Sequence, residues 1–181
     1  MKALLEHIAK HPQSYELASL ICNRQGAGGI EIARAAGHST SLIDHSNFAT
    51  KEDFEAAITK ELRQAKVDII CLAGFMRILS PDFVNTWADK IINIHPSLLP
   101  AYKGLNTHQR AIDDGAKSHG CSVHYVVADM DAGDVITQTP IEIDATDTAE
   151  TLAARVLSVE HETYCRGLDI AARRLINNKK P

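Results

Sequence analysis

Residues 90–100 read Lys-Ile-Ile-Asn-Ile-His-Pro-Ser-Leu-Leu-Pro, and this stretch decides the fold. A strand through the apolar residues would point Asn93 and His95 to one face, because side chains two residues apart share a face. Pro96 would end that strand. A polar pair at the carboxyl end of a buried strand is typical of open α/β sheets, where ligands bind outside the strand ends. The stretch therefore predicts both a strand and a site.

The rest of the chain alternates between helical and extended patterns. Apolar spacing and turn residues predict helices at 2–10, 28–37, 51–66, 107–115 and 148–177, and another that starts at Pro81. Pro12 is the predicted end of the first helix. Strands are predicted at 16–22, up to 42, 67–73, 90–95, 121–128 and 135–143. This alternation predicts one α/β domain over residues 1–181, Rossmann-like, with a largely parallel sheet and helices on both faces.

Composition excludes some classes of protein. The chain has 181 residues, 45% of them hydrophobic, which is long enough for one domain with a buried core. A net charge of −4 argues against nucleic-acid binding, which normally needs a basic surface. The longest apolar run, 67–76, is too short to cross a bilayer, and the N-terminus lacks a signal-like apolar region. We expect a cytoplasmic protein without membrane contacts.

The cysteines agree with a reducing compartment. Cys22, Cys71, Cys121 and Cys165 are widely separated and form no Cys-x-x-Cys motif. Most of them fall in apolar or helical stretches, so buried free thiols are favoured over disulfides or zinc ligands.

Three polar side chains near the middle of the chain suit chemistry on a carbonyl group. Asn93 offers an amide donor, and His95 titrates near neutral pH. Asp131, in a turn beside Gly133, could orient the imidazole of His95 and favour its protonated form. Taken alone, Asn93 and His95 could instead merely cap a strand and bond a turn. A zinc site using His95, His108, His119 or His124 lacks a compact ligand pair.

Four blocks of sequence carry a resemblance to a known family. They are Leu-Ala-Gly-Phe-Met-Arg-Ile-Leu at 72–79, Ile-Asn-Ile-His-Pro-Ser-Leu-Leu-Pro at 92–100, Gly-Cys-Ser-Val-His at 120–124 and Asp-Ala-Gly at 131–133. In order and spacing they resemble phosphoribosylglycinamide formyltransferase, a folate-dependent family of purine synthesis. The likeness spans almost the whole chain, so it is more specific than a single short motif. It implies the formyltransferase fold, with 10-formyltetrahydrofolate as co-substrate and no metal.

The resemblance implies a reaction and a set of residues. The amine of glycinamide ribonucleotide attacks the formyl carbon, Asn93 and protonated His95 stabilise the oxyanion, and Asp131 assists His95 and proton transfer. Glu160 matches the family position that binds ribose hydroxyls, and Asn106 a position often filled by His. The implied folate-binding residues are Lys51, Met76, Arg77, Ile78, Leu79, Asn93, Val127, Ala128, Asp129, Met130 and Asp131. Read without the resemblance, Met76, Ile78 and Leu79 would be core, and Lys51 and Glu160 solvated charges.

Two departures from the family concern the phosphate of the ribonucleotide. Family members begin with an apolar strand and a Gly-x-Gly-Ser-Asn turn that wraps the phosphate, whereas this sequence starts at the following helix. Leu157 stands where relatives usually carry a polar residue. We therefore expect an N-terminally short domain with weaker ribonucleotide binding than folate binding.

The alternative functions share the same catalytic core. A methionyl-tRNA formyltransferase would add a C-terminal RNA-binding domain, and a formyltetrahydrofolate hydrolase an N-terminal regulatory domain. A folate-binding remnant without turnover is the non-enzymatic alternative. The expected partner is glycinamide ribonucleotide, and a homodimer stays open.

Overall fold

The computed structural model describes residues 1–11 and 15–178, so Pro12 lies outside the described residues. The chain forms two compact units. The first comprises Met1–Asp68 with Met76–Thr86, and the second comprises Ile69–Phe75 with Trp87–Pro181.

The first unit is a small α/β layer. It contains α1 (Lys2–Lys10), β1 (Leu20–Cys22), α2 (Gly28–Ala35), β2 (Thr40–Leu42), a 3-10 turn (His45–Asn47), α3 (Lys51–Gln64) and α4 (Pro81–Thr86). β1 pairs in parallel with β2, with Leu20 opposite Thr40. One apolar core, made of Leu5, Leu20, Cys22, Ile30 and Ala33, packs α1 and α2 against β1.

The start of α3 shows how the sequence sets a helix boundary. The Thr50 hydroxyl oxygen accepts the backbone N–H of Asp53 at 3.1 Å, which satisfies one of the free donors of the first turn. Phe54, Ile58 and Leu62 follow at spacings of four residues, and all three are buried. These three residues form the inward face of the helix.

The second unit is a four-stranded sheet with a long helix. It contains β3 (Ile70–Leu72), β4 (Ile91–His95), α5 (Thr107–Asp113), β5 (Ser118–Tyr125), β6 (Val135–Glu142) and α6 (Ala149–Asn178). The strand order is β3-β4-β5-β6. β3 pairs in parallel with β4, whereas β5 runs antiparallel to both β4 and β6. The loop of residues 126–134 is too short for a crossover helix, so β5 and β6 form a hairpin.

The long helix α6 covers β5 closely. Leu152 and Val156 are fully buried against Cys121. A Cβ atom on Gly167 would lie 2.6 Å from Cγ1 of Val123, so only glycine allows this approach of helix to strand. The hydroxyl of Tyr164 donates to the carbonyls of Leu72 at 2.7 Å and Ile92 at 3.1 Å, which ties α6 to β3 and β4.

The α/β class and most elements agree with the predictions from sequence, and several boundaries differ. The first strand begins at Leu20 rather than at residue 16, and the third covers only Ile70–Leu72. β5 spans Ser118–Tyr125 rather than 121–128, because Ser118 pairs with Glu142 at one end and the backbone N–H of Tyr125 bonds Asp134 at the other. Pairing with β6 therefore keeps Ser118 and His119 in the strand, although both residues are polar.

Two broader expectations can be compared with the described residues. Cys22, Cys71, Cys121 and Cys165 are all free thiols; Cys22 and Cys121 are buried, as predicted, whereas Cys71 and Cys165 are only half-buried. Among residues 1–11 and 15–178, no helix combines the length and the apolar character that a membrane span requires.

Candidate active site

His95 is the last residue of β4, and its imidazole is buried between two acceptors. Only 6% of the residue is exposed. Nε2 lies 2.9 Å from the carbonyl oxygen of Tyr102, and Nδ1 lies 3.3 Å from Oδ2 of Asp131. A carbonyl and a carboxylate only accept hydrogen bonds, so both contacts are satisfied when each ring nitrogen carries a proton. Both ring nitrogens are therefore placed next to hydrogen-bond acceptors.

Asp131 reaches this position from the loop between β5 and β6. Its backbone is left-handed, with φ of 48°, a conformation that Asp tolerates better than most residues. Oδ2 also accepts the backbone N–H of Gly104 at 2.9 Å. Two residues later, a Cβ atom on Gly133 would lie 1.8 Å from the carbonyl oxygen of Tyr125, so the turn needs glycine there. The predicted turn beside Gly133 thus presents Asp131 to His95.

Asn93 lies opposite His124 in the ladder between β4 and β5. Nδ1 of His124 lies 2.9 Å from the carbonyl oxygen of Tyr125 and must donate to it, which leaves Nε2 to accept. Nε2 is 3.4 Å from Nδ2 of Asn93. Burial lowers the pKa of His124, in keeping with this neutral tautomer. The amide group of Asn93 has two protons, and this contact uses one of them.

The loop after β5 carries the other residues predicted to bind folate in the second unit. Val127, Ala128, Asp129 and Met130 are exposed, whereas Asp131 is half-buried. Met130 is 53% exposed and lies next to Gly104, from whose Cβ position its sulfur is 3.6 Å away. The apolar side chains of this loop are therefore open to a ligand beside the His95–Asp131 pair.

The remaining folate candidates belong to the first unit. Lys51 is the first residue of α3 and is half-buried. Met76 is 80% exposed and Ile78 69% exposed, so the reading of these two as core residues is wrong. The guanidinium of Arg77 lies 5.8 Å from the ring centroid of Phe54, and Leu79 is half-buried.

Two predicted residues of the ribonucleotide side lie on α6. Glu160 is half-buried; burial raises the pKa of its carboxyl group, and the nearby His161 and His95 act in the opposite direction. Leu157 is 49% exposed. The structure thus places an apolar side chain at the surface where the resemblance implied a polar one.

A second histidine pair lies outside the predicted trio. Nε2 of His119 is 3.1 Å from Nδ1 of His108. Burial, and after it the charge of His108, lowers the pKa of His119 to about 4. Within the part of the chain that the structure describes, no group of three or more His, Cys, Asp or Glu residues is arranged to hold a metal ion.

Some groups of this site carry no signal in the sequence. The Tyr102 carbonyl and the Gly104 N–H that bond the His95–Asp131 pair are backbone atoms, which any residue provides.

A buried hydrogen-bond network around Ser122 was not predicted from the sequence either. Ser122 Oγ donates to the carbonyl of Ser97 at 2.6 Å and accepts from Nε2 of Gln138 at 2.7 Å. The spacing Ser122-x-His124 on one strand face was the only available hint.

Comparison with known proteins places the chain in a family. The model of the family described as formyl transferase matches residues 1–168. The chain belongs to this family. A phosphoribosylglycinamide formyltransferase of Escherichia coli is 38% identical over 164 residues, which are 91% of this chain and 77% of that protein. The solved structure of a phosphoribosylglycinamide formyltransferase from Brucella melitensis has a TM-score of 0.88 at 45% identity, covering 95% of this chain and 88% of the other.

Some relatives are much longer. The trifunctional purine biosynthetic protein adenosine-3 of Gallus gallus is 40% identical over 172 residues, which are 95% of this chain and 17% of that protein. The chain thus spans about a sixth of this relative's length. The matches confirm the resemblance that the four sequence blocks carry, and they confirm the fold class.

Proposed function

We propose that this formyl transferase transfers a formyl group from 10-formyltetrahydrofolate to the amine of glycinamide ribonucleotide. One observation carries the proposal: the imidazole of His95 is held between Asp131 and the Tyr102 carbonyl, two residues after Asn93 on the same strand. This arrangement suits stabilisation of a carbonyl oxygen that becomes negative. The names of the relatives from Escherichia coli and Brucella melitensis support the substrate.

The folate co-substrate supplies an electrophilic formyl carbon, and hydrogen-bond donors of the protein act on the formyl oxygen. Nε2 of His95 already donates to a carbonyl oxygen, that of Tyr102, at 2.9 Å. The formyl oxygen would share this proton with the Tyr102 carbonyl, so the contact that holds the imidazole would be kept. The second amide proton of Asn93 provides the other donor. Each such donor is typically worth about 2.7–4 kcal/mol in the transition state.

Asp131 serves the same reaction in two ways. Its carboxylate lies 3.3 Å from Nδ1 of His95 and orients the imidazole. It would also accept a proton from the attacking amine, directly or through water, and return it to the leaving nitrogen. No covalent enzyme intermediate is required.

The binding residues follow from the same proposal. Exposed Val127 and Met130 offer apolar contact to the flat ring system of a folate beside Asp131. Ala128 and Asp129 offer backbone groups in the same loop. Lys51, Met76, Arg77, Ile78 and Leu79 remain proposed folate contacts of the first unit, and Glu160 a proposed partner of the ribose hydroxyls.

The test measures formyl transfer to glycinamide ribonucleotide and folate release together. We expect His95→Ala and Asn93→Ala each to lower kcat by about 10²–10³-fold while circular dichroism stays as in the wild type. His38→Ala, which changes a histidine of the first unit, serves as the matched control and should keep full activity.

Each contrary result points to a different protein. Folate release without a formylated ribonucleotide would indicate a hydrolase. Folate binding without any turnover would indicate a folate-binding remnant. Wild-type rates in well-folded His95→Ala would remove the assignment of the site.

A further inference from the structure

The loop of residues 101–106 holds the His95–Asp131 pair through its backbone. The Tyr102 carbonyl accepts from Nε2 of His95, and the Gly104 N–H donates to Oδ2 of Asp131, both at 2.9 Å. The same Oδ2 lies 3.3 Å from Nδ1 of His95. The loop and the two side chains thus form a closed ring of contacts. A change in the path of the loop would displace both reactive groups at once.

This loop does not adopt its path by intrinsic preference. Tyr102 has φ of 55°, Gly104 of 78° and Asn106 of 56°, so every second residue is left-handed. For a residue such as Tyr102 this conformation is unfavourable and persists only where surrounding contacts impose it. Some group outside the loop must therefore supply those contacts.

Arg110, on α5, supplies several of them. Its Nη1 donates to the carbonyl of Lys103 at 2.7 Å and to that of Leu105 at 3.4 Å. Its guanidinium carbon lies 5.5 Å from the ring centroid of Tyr102, within reach of a cation–π contact. These contacts flank Gly104 on both sides. One planar side chain thus engages three residues of the loop.

The helix that carries Arg110 is itself fixed to the strand end behind His95. The hydroxyl of Thr107 donates to the carbonyl of Pro96, the residue after His95, at 2.7 Å. Ala111, next to Arg110, is fully buried. Arg110 therefore connects the loop to α5, and the bond from Thr107 to Pro96 fixes the position of α5 relative to His95.

We propose that Arg110 is a positioning residue for the reaction, which acts on His95 and Asp131 through the 101–106 loop. The inference rests on the proposed formyl transfer and adds to it a residue outside the predicted site. The chemistry of the side chain matters as well as its charge. Lysine keeps the charge, but it lacks the planar guanidinium that lies over the Tyr102 ring while Nη1 bonds the carbonyls.

The first test compares Arg110→Gln and Arg110→Lys with Arg155→Gln. Arg155 is the matched control, because its guanidinium also donates to a backbone carbonyl, that of Glu142. Glu142 pairs with Ser118, at the opposite end of β5 from His124. We expect kcat to fall by about 10-fold or more in Arg110→Gln and by less in Arg110→Lys, with KM within about twofold. Equal kcat in Arg110→Gln and Arg155→Gln would overturn the proposal.

The second test combines Arg110→Gln with Asp131→Ala, because Asn would keep a side-chain oxygen that can accept the Gly104 N–H. Part of the effect of Arg110 runs through the contact between Gly104 and Asp131, so its removal should lower kcat by a smaller factor once the carboxylate is gone. Losses that simply multiply would show that Arg110 acts independently of Asp131, contrary to the proposal.

The third test separates this inference from the proposed function. The ring nitrogens of His95 are followed by NMR in ¹⁵N-histidine-labelled protein, which needs no turnover. Arg110→Gln should shift the His95 resonances, and Arg155→Gln should leave them in place. An inactive wild type would refute the proposed function, whereas unmoved His95 resonances in Arg110→Gln would refute the positioning role.

Discussion

At the scale of the residue, Asp131 combines an unusual backbone with a shared carboxylate. The left-handed φ of 48° aims the side chain at His95, and Oδ2 lies within reach of both the Gly104 N–H and His95 Nδ1. A residue at this position therefore needs tolerance of that backbone and a negative charge. Asp offers both.

Two substitutions at this residue separate the backbone requirement from the charge. Asn tolerates the left-handed conformation and lacks the charge, whereas Ala lacks both the tolerance and the polar group. We expect Asp131→Asn and Asp131→Ala each to lower kcat by about 100-fold. Asp131→Ala alone should also lose roughly 1 kcal/mol of unfolding free energy, as measured by denaturant titration. Equal stability of the two variants would show that the backbone is not strained by Ala.

The sequence predicted part of this site. The spacing Asn93-x-His95 before Pro96 was enough to place two donors on one strand, since strand geometry alone fixes it. Asp131 came from the resemblance and from the turn at Gly133. The Tyr102 carbonyl, the Gly104 N–H and Arg110 could not be found that way, because backbone acceptors and an exposed arginine on a short helix have no distinctive pattern.

At the scale of the element, β5 carries two buried histidines with different surroundings. His124 has a carbonyl acceptor and an amide donor on its two nitrogens. His119 faces the ring of His108 and the edge of Tyr102. Both are almost completely buried, and burial lowers the pKa of both imidazoles. β5 is therefore built to hold neutral histidines.

This property predicts a sensitivity to acid. The pKa of His119 is about 4 in the folded protein, below its ordinary value near 6.5, so the unfolded chain binds the proton more tightly. The contribution of neutral His119 to the free energy of unfolding is present above about pH 6.5 and is lost as the pH falls toward 4. Between pH 7.5 and 5 the loss from this residue is roughly 2 kcal/mol.

The comparison is between wild type and His119→Gln at both pH values. Unfolding is followed by the fluorescence of Trp87, the single tryptophan, which lies in the same unit as His119. The loss of unfolding free energy between the two pH values should be smaller in His119→Gln than in the wild type. It should be unchanged in the control His38→Gln. An equal loss in all three proteins would exclude His119 as its source.

Element boundaries show where sequence patterns reach their limit. The helices α2 and α4 begin at Gly28 and Pro81, where turn residues predict them, because those signals are local. The start of β5 at Ser118 depends on its pairing with Glu142, which is 24 residues away along the chain. Long-range pairing of this kind leaves no local trace, so the prediction placed the strand three residues too late.

At the scale of the whole molecule, the family and the fold class were accessible from sequence because four ordered blocks span the chain. The division into two compact units was not, since no linker or change in composition marks it. A single domain over residues 1–181 stays a prediction. The units also differ in strand direction: β1 and β2 are parallel, whereas the second unit combines one parallel and two antiparallel pairs.

The hydroxyl of Tyr164 links α6 to β3 and β4, so the absorbance of its tyrosinate form can serve as a measure of unfolding. Burial, and after it the neighbouring Cys71, raises the pKa of this phenol well above 10. The folded protein therefore keeps the proton as the pH rises past 10, and the associated stability is lost beyond that point. In an alkaline titration of the folded protein, fewer than all four tyrosines should give tyrosinate absorbance. The absorbance of the last tyrosine should appear abruptly when α6 detaches. A smooth titration of all four before unfolding would contradict this.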